Sequence, residues 1–127
     1  MIKEDYCSYE VAKLLKEKGF DWAVLTCYEN SEFRYVNLWN WNKFSASTLC
    51  SAPTHQMAMK WLREEHNIDI IPVIRHSLKY AQENPFRDYA CRVYDADGNI
   101  VMSTTKWYSK YERAVEAALK YALENLI

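Results

Sequence analysis

Cys50 and His55 are the pair in this sequence whose types and spacing come nearest to chemistry, standing five residues apart in "LCSAPTH" where a helical pattern begins. A thiol near a helix N-terminus ionises more easily, and a nearby imidazole can act as its base. No third, orienting group is recognisable beside them. Free cysteine is also among the most buried residue types. Cys50 is therefore expected as a buried thiol at a strand or loop end, and His55 as a solvent-exposed histidine. Asp95, Asp97, Gly98 and Asn99 resemble the opening of a calcium loop, but position twelve, which needs a bidentate Glu, is Lys106. A hairpin turn accounts for the same residues. Glu64 and Glu65 are adjacent on a helix, point in different directions and form no carboxylate pair.

The cysteines are Cys7, Cys27, Cys50 and Cys91, without a Cys-x-x-Cys pair, and His55, His66 and His76 lie about ten residues apart. A zinc site made from these groups would have to be assembled by the fold, with no local motif to support it. The chain has no Gly-rich phosphate loop, no Gly-x-Ser-x-Gly elbow and no His-Glu-x-x-His. No catalytic residue, metal or cofactor is expected, and the protein is read as a non-enzyme.

Aromatic side chains remain. "NLWNWNKF", Asn37 to Phe44, holds three rings and three asparagines. Phe33, Tyr35, Trp39 and Trp41 fall on one face of an extended chain, and an alternating strand normally turns its large apolar face inward. Trp39 and Trp41 are accordingly expected in the core. The competing reading makes Trp39, Trp41 and Phe44 a protein-binding surface, because Trp and Tyr are frequent interface anchors. The irregular end of the segment, Trp41 to Ser51, is then the contact region.

The elements that must position these groups are legible. Ser8 can cap a helix in which Val11, Leu14 and Leu15 repeat, with Gly19 placed to end it. "WAVLTCY" and "FRYVNLWNW" read as a hairpin across the turn "ENSE". "NKFSASTLCSA" has no clean period and reads as a loop with room for a short strand. Pro53 suits the first turn of a second helix with an apolar stripe of Met57, Ala58, Trp61 and Leu62, stopped by a left-handed Asn67. "IDIIPVI" is a strand whose Pro72 places it at a sheet edge. "HSLKYAQENP" is a polar connection. "FRDYACRVY" and "IVMSTT" are strands joined by "DADGN", with Gly98 free to take a positive φ. Ser109 and Glu112 form a capping box for the last helix, striped by Tyr111, Val115, Ala118, Leu119, Ala122 and Leu126. The order α-β-β-α-β-β-β-α predicts an α+β fold, mainly antiparallel, with helices packed on one face of the sheet. Whether residues 1–50 share one sheet with the remainder is left open.

At 127 residues the chain is expected to form a single domain, 1–127. Half of it is apolar and 15% aromatic, enough for a core without disulfides or metal. Sixteen basic and seventeen acidic side chains nearly cancel, so no global attraction to nucleic acid or acidic membranes exists. No apolar run can span a bilayer, and the amino-terminal stretch "MIKEDYCSYE" lacks the apolar core of a signal peptide. A cytoplasmic location with reduced thiols is expected.

Three stretches, "KLLKEKGFD", "APTHQMAMKWLREEHNI" and "YERAVEAALKYALENLI", resemble a family of small uncharacterised proteins encoded by gut-type bacteria and by their phages or mobile elements. They cover about a third of the chain. The resemblance implies a small accessory protein of phage or mobile-element origin, and it brings no functional residues. Residues 53–126 are also similar in topology to a double-stranded RNA-binding domain, with Asn84 and Pro85 in the loop and Ser109 and Lys110 opening the last helix. That similarity implies phosphate contacts by Lys106, Lys110 and Arg113, although Glu112 and Glu116 stand where positive charge is needed. The leading expectation is a non-catalytic accessory protein binding another protein or itself, with no membrane partner; the alternative is a nucleic-acid-binding module.

Overall fold

A computed structural model describes residues 3–76, 87–103 and 106–127. Among these residues three α-helices and two small antiparallel sheets give the α+β architecture in the expected order. The elements are α1 (Tyr9–Glu17), β1 (Val24–Glu29), β2 (Glu32–Trp39), β3 (Leu49–Ser51), α2 (His55–His66), β4 (Asp69–His76), β5 (Arg87–Tyr94), β6 (Ile100–Ser103) and α3 (Tyr111–Asn125). The strands divide: β1, β2 and β3 do not join the later sheet but form one of their own, in the order β2-β1-β3, and the second sheet runs β4-β5-β6.

Local chemistry accounts for most boundaries. The Ser8 side chain accepts from Val11 N at the start of α1, and Thr54 does the same for Met57 N at the start of α2. Satisfying an otherwise orphan amide in this way contributes about 1 kcal/mol per cap. Asn67 ends α2 in the left-handed region at φ 54°, and Ile68 folds back to donate to Leu62 O at 3.1 Å. Asn30 and Ser31, at φ 53° and 64°, form a two-residue turn with both residues left-handed, whose twist matches the β1–β2 hairpin. Pro72 sits in β4, which is an edge strand as its missing N–H requires.

One expected cap does not form. The last helix begins at Tyr111, with Lys110 at the cap position and no side-chain hydrogen bond there. Tyr108 is held in an extended pairing with Tyr89 by two backbone bonds of 2.7 and 2.8 Å. That pairing carries the chain past Ser109 before it can coil, so the Ser109–Glu112 box has no helix to close.

The core joins the helices to both sheets. Val11 and Leu15 of α1, Trp61 and Leu62 of α2, Val115, Leu119 and Leu123 of α3, Val24 of β1 and Val93 of β5 belong to one buried cluster. Phe20, 1% exposed, stacks edge-on against Trp61 at 5.5 Å within it. Such aromatic pairs add about 1 kcal/mol beyond their buried area. β2 stands outside this arrangement. Helix α1 packs against β3, at the edge of the first sheet opposite β2, so seven of the eight β2 residues are exposed.

Candidate functional site

The amino-terminal segment creates an unexpected junction. Cys7 N donates to Pro53 O at 2.9 Å, and His55 N donates to Asp5 O at 2.8 Å. These bonds lay residues 5–7 alongside 53–55, so the starts of α1 and α2 lie side by side. Helix α3 then brings Glu116 across both. The Glu116 Oε1 atom accepts from Ser8 N at 2.7 Å and pairs with His55 Nε2 at 2.8 Å; Oε2 accepts from Ser8 Oγ at 2.9 Å. A carboxylate that receives hydrogen bonds at a helix N-terminus also benefits from the positive end of the helix dipole.

Burial raises the Glu116 pKa, but the hydrogen bonds from His55 and Ser8 outweigh it, and the net value lies below that of an ordinary glutamate. Beside it, burial pushes the Cys7 thiol well above its usual value, and the Glu116 charge acts in the same direction. Cys7, His55 and Glu116 each present a donor atom, and these atoms lie within 4.8 Å of one another. His55 Nδ1 is buried and has no hydrogen-bond partner among the described residues. His55 and Glu116 line an open cleft of about 430 Å³ with Asp5, Tyr6, Tyr108, Glu112 and Arg113, and Cys7 lies buried behind them.

His55 is thus not the exposed residue expected of it: it is 3% exposed and faces the core-side junction. Its partners are also not those weighed from sequence. Cys50 is buried in β3, opposite Tyr28 of β1, and is not a hydrogen-bond partner of His55. Burial pushes the Cys50 thiol up to about 11 despite the nearby Lys16, the direction opposite to an activated thiolate. Cys27 and Cys91 are likewise buried free thiols.

A second, different surface lies on β2. The two-residue turn makes Glu29 and Glu32 the closing pair, so the alternate residues Phe33 and Tyr35 turn their backbone N–H and C=O groups away from β1. Their rings pack on each other at 5.3 Å and on Tyr6 at 4.8 and 6.4 Å, forming a surface aromatic cluster. Tyr35 is 76% exposed and Leu38 62%.

The candidate protein-binding residues divide between surface and interior. Trp39 and Phe44 are about half exposed, against the expectation that Trp39 would be buried. The reason is that β2 is a sheet edge with no helix packed over it among the described residues. Trp41 leaves the strand for a short 3-10 turn, packs partly on the core, and donates to Val24 O and Asn37 O at 3.2 and 3.1 Å. The candidate nucleic-acid residues do not make a cationic surface together with the cleft. Arg113 lines it beside Asp5, Glu112 and Glu116, and the Lys106 ammonium sits 5.2 Å from the Tyr108 ring centre. Lys110 occupies the cap position of α3. Asn84 and Pro85 lie outside the described residues.

No helix among the described residues is long and apolar enough to cross a membrane. No family model, curated protein or solved structure matches the chain.

Proposed function

We propose that the protein is a non-catalytic accessory protein that acts through protein–protein interaction, pairing with a second copy of itself along β2. The observation that carries this reading is the character of that edge. Proteins normally protect an exposed edge strand with Lys, Pro, a short length or a covering element. The β2 strand is eight residues long, contains neither Lys nor Pro, and exposes seven of its residues. Its two charges, Glu32 and Arg34, neutralise each other at 3.1 Å. The strand therefore carries no net charge, and long-range repulsion between two copies is small.

Antiparallel pairing of two β2 strands about a two-fold axis uses the same surface twice. The outward backbone groups of Phe33 and Tyr35 become ladder bonds, and the rings of both copies form one continuous aromatic face. Leu38, which lines a hollow beside Tyr6, extends that face, while Trp39 and Phe44, both about half exposed, lie beyond the register shift in β2. The four buried, unbridged thiols accord with a reducing, cytoplasmic setting. Nucleic-acid binding through Lys106, Lys110 and Arg113 is the less favoured reading, because the cleft beside Arg113 carries three carboxylates.

Light scattering across a concentration series tests the proposal. The wild-type chain is expected to reach dimer mass at high micromolar concentration, and Tyr35→Lys to remain monomeric with an unchanged circular dichroism spectrum. A wild-type chain that stays monomeric throughout rejects self-pairing. A salt-dependent mobility shift with duplex RNA would instead favour the nucleic-acid reading.

A further inference from the structure

We infer that Cys7, His55 and Glu116 form a binding site for a zinc-class divalent cation at the junction of the three helices. The donor set is a thiol, an imidazole and a carboxylate, which is the chemistry of zinc ligation, and a three-residue set leaves one position for water. Two of the three side chains are fully buried and the third is partly so, which separates this group from the exposed acidic clusters common on protein surfaces. Tetrahedral bonds of about 2.0–2.3 Å put donors roughly 3.5 Å apart. The present spacing, within 4.8 Å, closes onto an ion with side-chain movements of about 1 Å.

Three further features fit a cation. The charges balance, because a thiolate and a carboxylate together cancel a dication and leave the buried site neutral. The carboxylate is already oriented by Ser8 N and Ser8 Oγ, the kind of outer support that metal ligands require. The imidazole already aims Nε2 at the carboxylate, 2.8 Å from Oε1, and an ion between them takes that nitrogen in place of the direct bond. Binding proceeds with loss of the Cys7 proton to solvent, and the cleft lined by His55, Glu116 and Asp5 supplies both the route of entry and room for the completing water. The ion would pin α1, α2 and α3 at one point. This inference is independent of the pairing proposed for β2.

Cobalt(II) titration of the metal-free, reduced chain tests it. The expected result is one ion bound per chain, with a thiolate-to-cobalt charge-transfer band in the near ultraviolet that zinc chloride abolishes. The band should vanish in Cys7→Ser and persist in Cys50→Ser. Zinc affinity, measured against a chromophoric chelator, should fall at least about a hundredfold in Glu116→Gln, whose amide keeps the shape of the side chain. If Cys7→Ser does not fold, the chelator competition in Glu116→Gln decides alone. Absence of stoichiometric binding by the wild-type chain, a band that survives Cys7→Ser, or unchanged affinity in Glu116→Gln would overturn the assignment, leaving the three residues as a hydrogen-bonded tie only.

Discussion

The Glu116 junction and the β2 edge reverse each other's expected environments. At the junction, polar side chains are taken out of water; on β2, aromatic rings are left in it. Each departure from the usual partition needs a compensation. At the junction the compensation is visible, since both carboxylate oxygens are engaged by named donors. On β2 it is not, because the outward N–H and C=O groups of Phe33 and Tyr35 meet no strand among the described residues. The comparison teaches that a carboxylate with both oxygens engaged fastens distant elements together, while an uncompleted backbone edge beside exposed rings leaves a surface free for contact.

The contrast can be broken first at the junction. Glu116→Ala strands Ser8 N–H, Ser8 O–H and the His55 ring N–H at a partly buried position. Urea unfolding should show a loss of about 3 kcal/mol, with no change in association state. A loss below about 0.5 kcal/mol, the ordinary range for a surface substitution, would remove the tie from the account.

The β2 side responds in the opposite way. Tyr35→Lys should weaken dimerisation by at least about tenfold, equivalent to about 1.4 kcal/mol, while the stability of the monomer changes by no more than about 0.5 kcal/mol. Sedimentation equilibrium measures the first and unfolding at low protein concentration the second. Should the substitution destabilise the monomer as much as Glu116→Ala does, Tyr35 belongs to the core and the edge is not a free surface.

Acidification sharpens the comparison further. The folded-state pKa of Glu116 lies below its unfolded value, so in that interval the unfolded chain binds more protons than the folded one. Its contribution is therefore fully present above about pH 5 and disappears as pH falls through the folded value. The stability difference between wild type and Glu116→Gln should shrink over that descent. A difference that stays constant from neutral pH to pH 3 would show that the carboxylate charge is not what the junction uses. The smallest expected effect is Thr54→Ala, which removes the cap of α2 and should cost about 1 kcal/mol in the same unfolding assay. A larger loss would mean that the cap also holds His55 in place.

Much of the fold was legible because its signals are local. The Ser8 cap, the left-handed Asn67, the Pro72 edge and the Gly98 turn each depend on a few neighbouring residues, and each appears as read. The Ser109–Glu112 box was misleading because a distant pairing, Tyr89 with Tyr108, decides where α3 can begin. The junction was missed for a related reason. Glu116 is 108 residues from Ser8 and 61 from His55, and no motif reports such a meeting.

A signal was nonetheless available in the helical spacing. His55 stands three residues before Ala58 and seven before Leu62; Glu116 stands three before Leu119 and seven before Leu123; Cys7 stands four before Val11 and eight before Leu15. All six of those apolar residues are buried. Extending the apolar stripes of α2 and α3 backwards places His55 and Glu116 on the inner faces of their helices, whereas Cys7 precedes the extended α1 cap and is buried through its pairing with Pro53. The rings of β2 carried the reverse lesson. Alternation assigns Phe33, Tyr35 and Trp39 to one face, but only sheet order decides whether anything covers it.

Amide hydrogen exchange on β2 measures self-pairing most directly. With the protein compared at low and high concentration, the account predicts that the amides of Phe33 and Tyr35 become protected only at the higher concentration, while those of α3 are unaffected. Exchange at Phe33 and Tyr35 that is equally fast at both concentrations, in a sample shown to be dimeric, would contradict pairing through this edge.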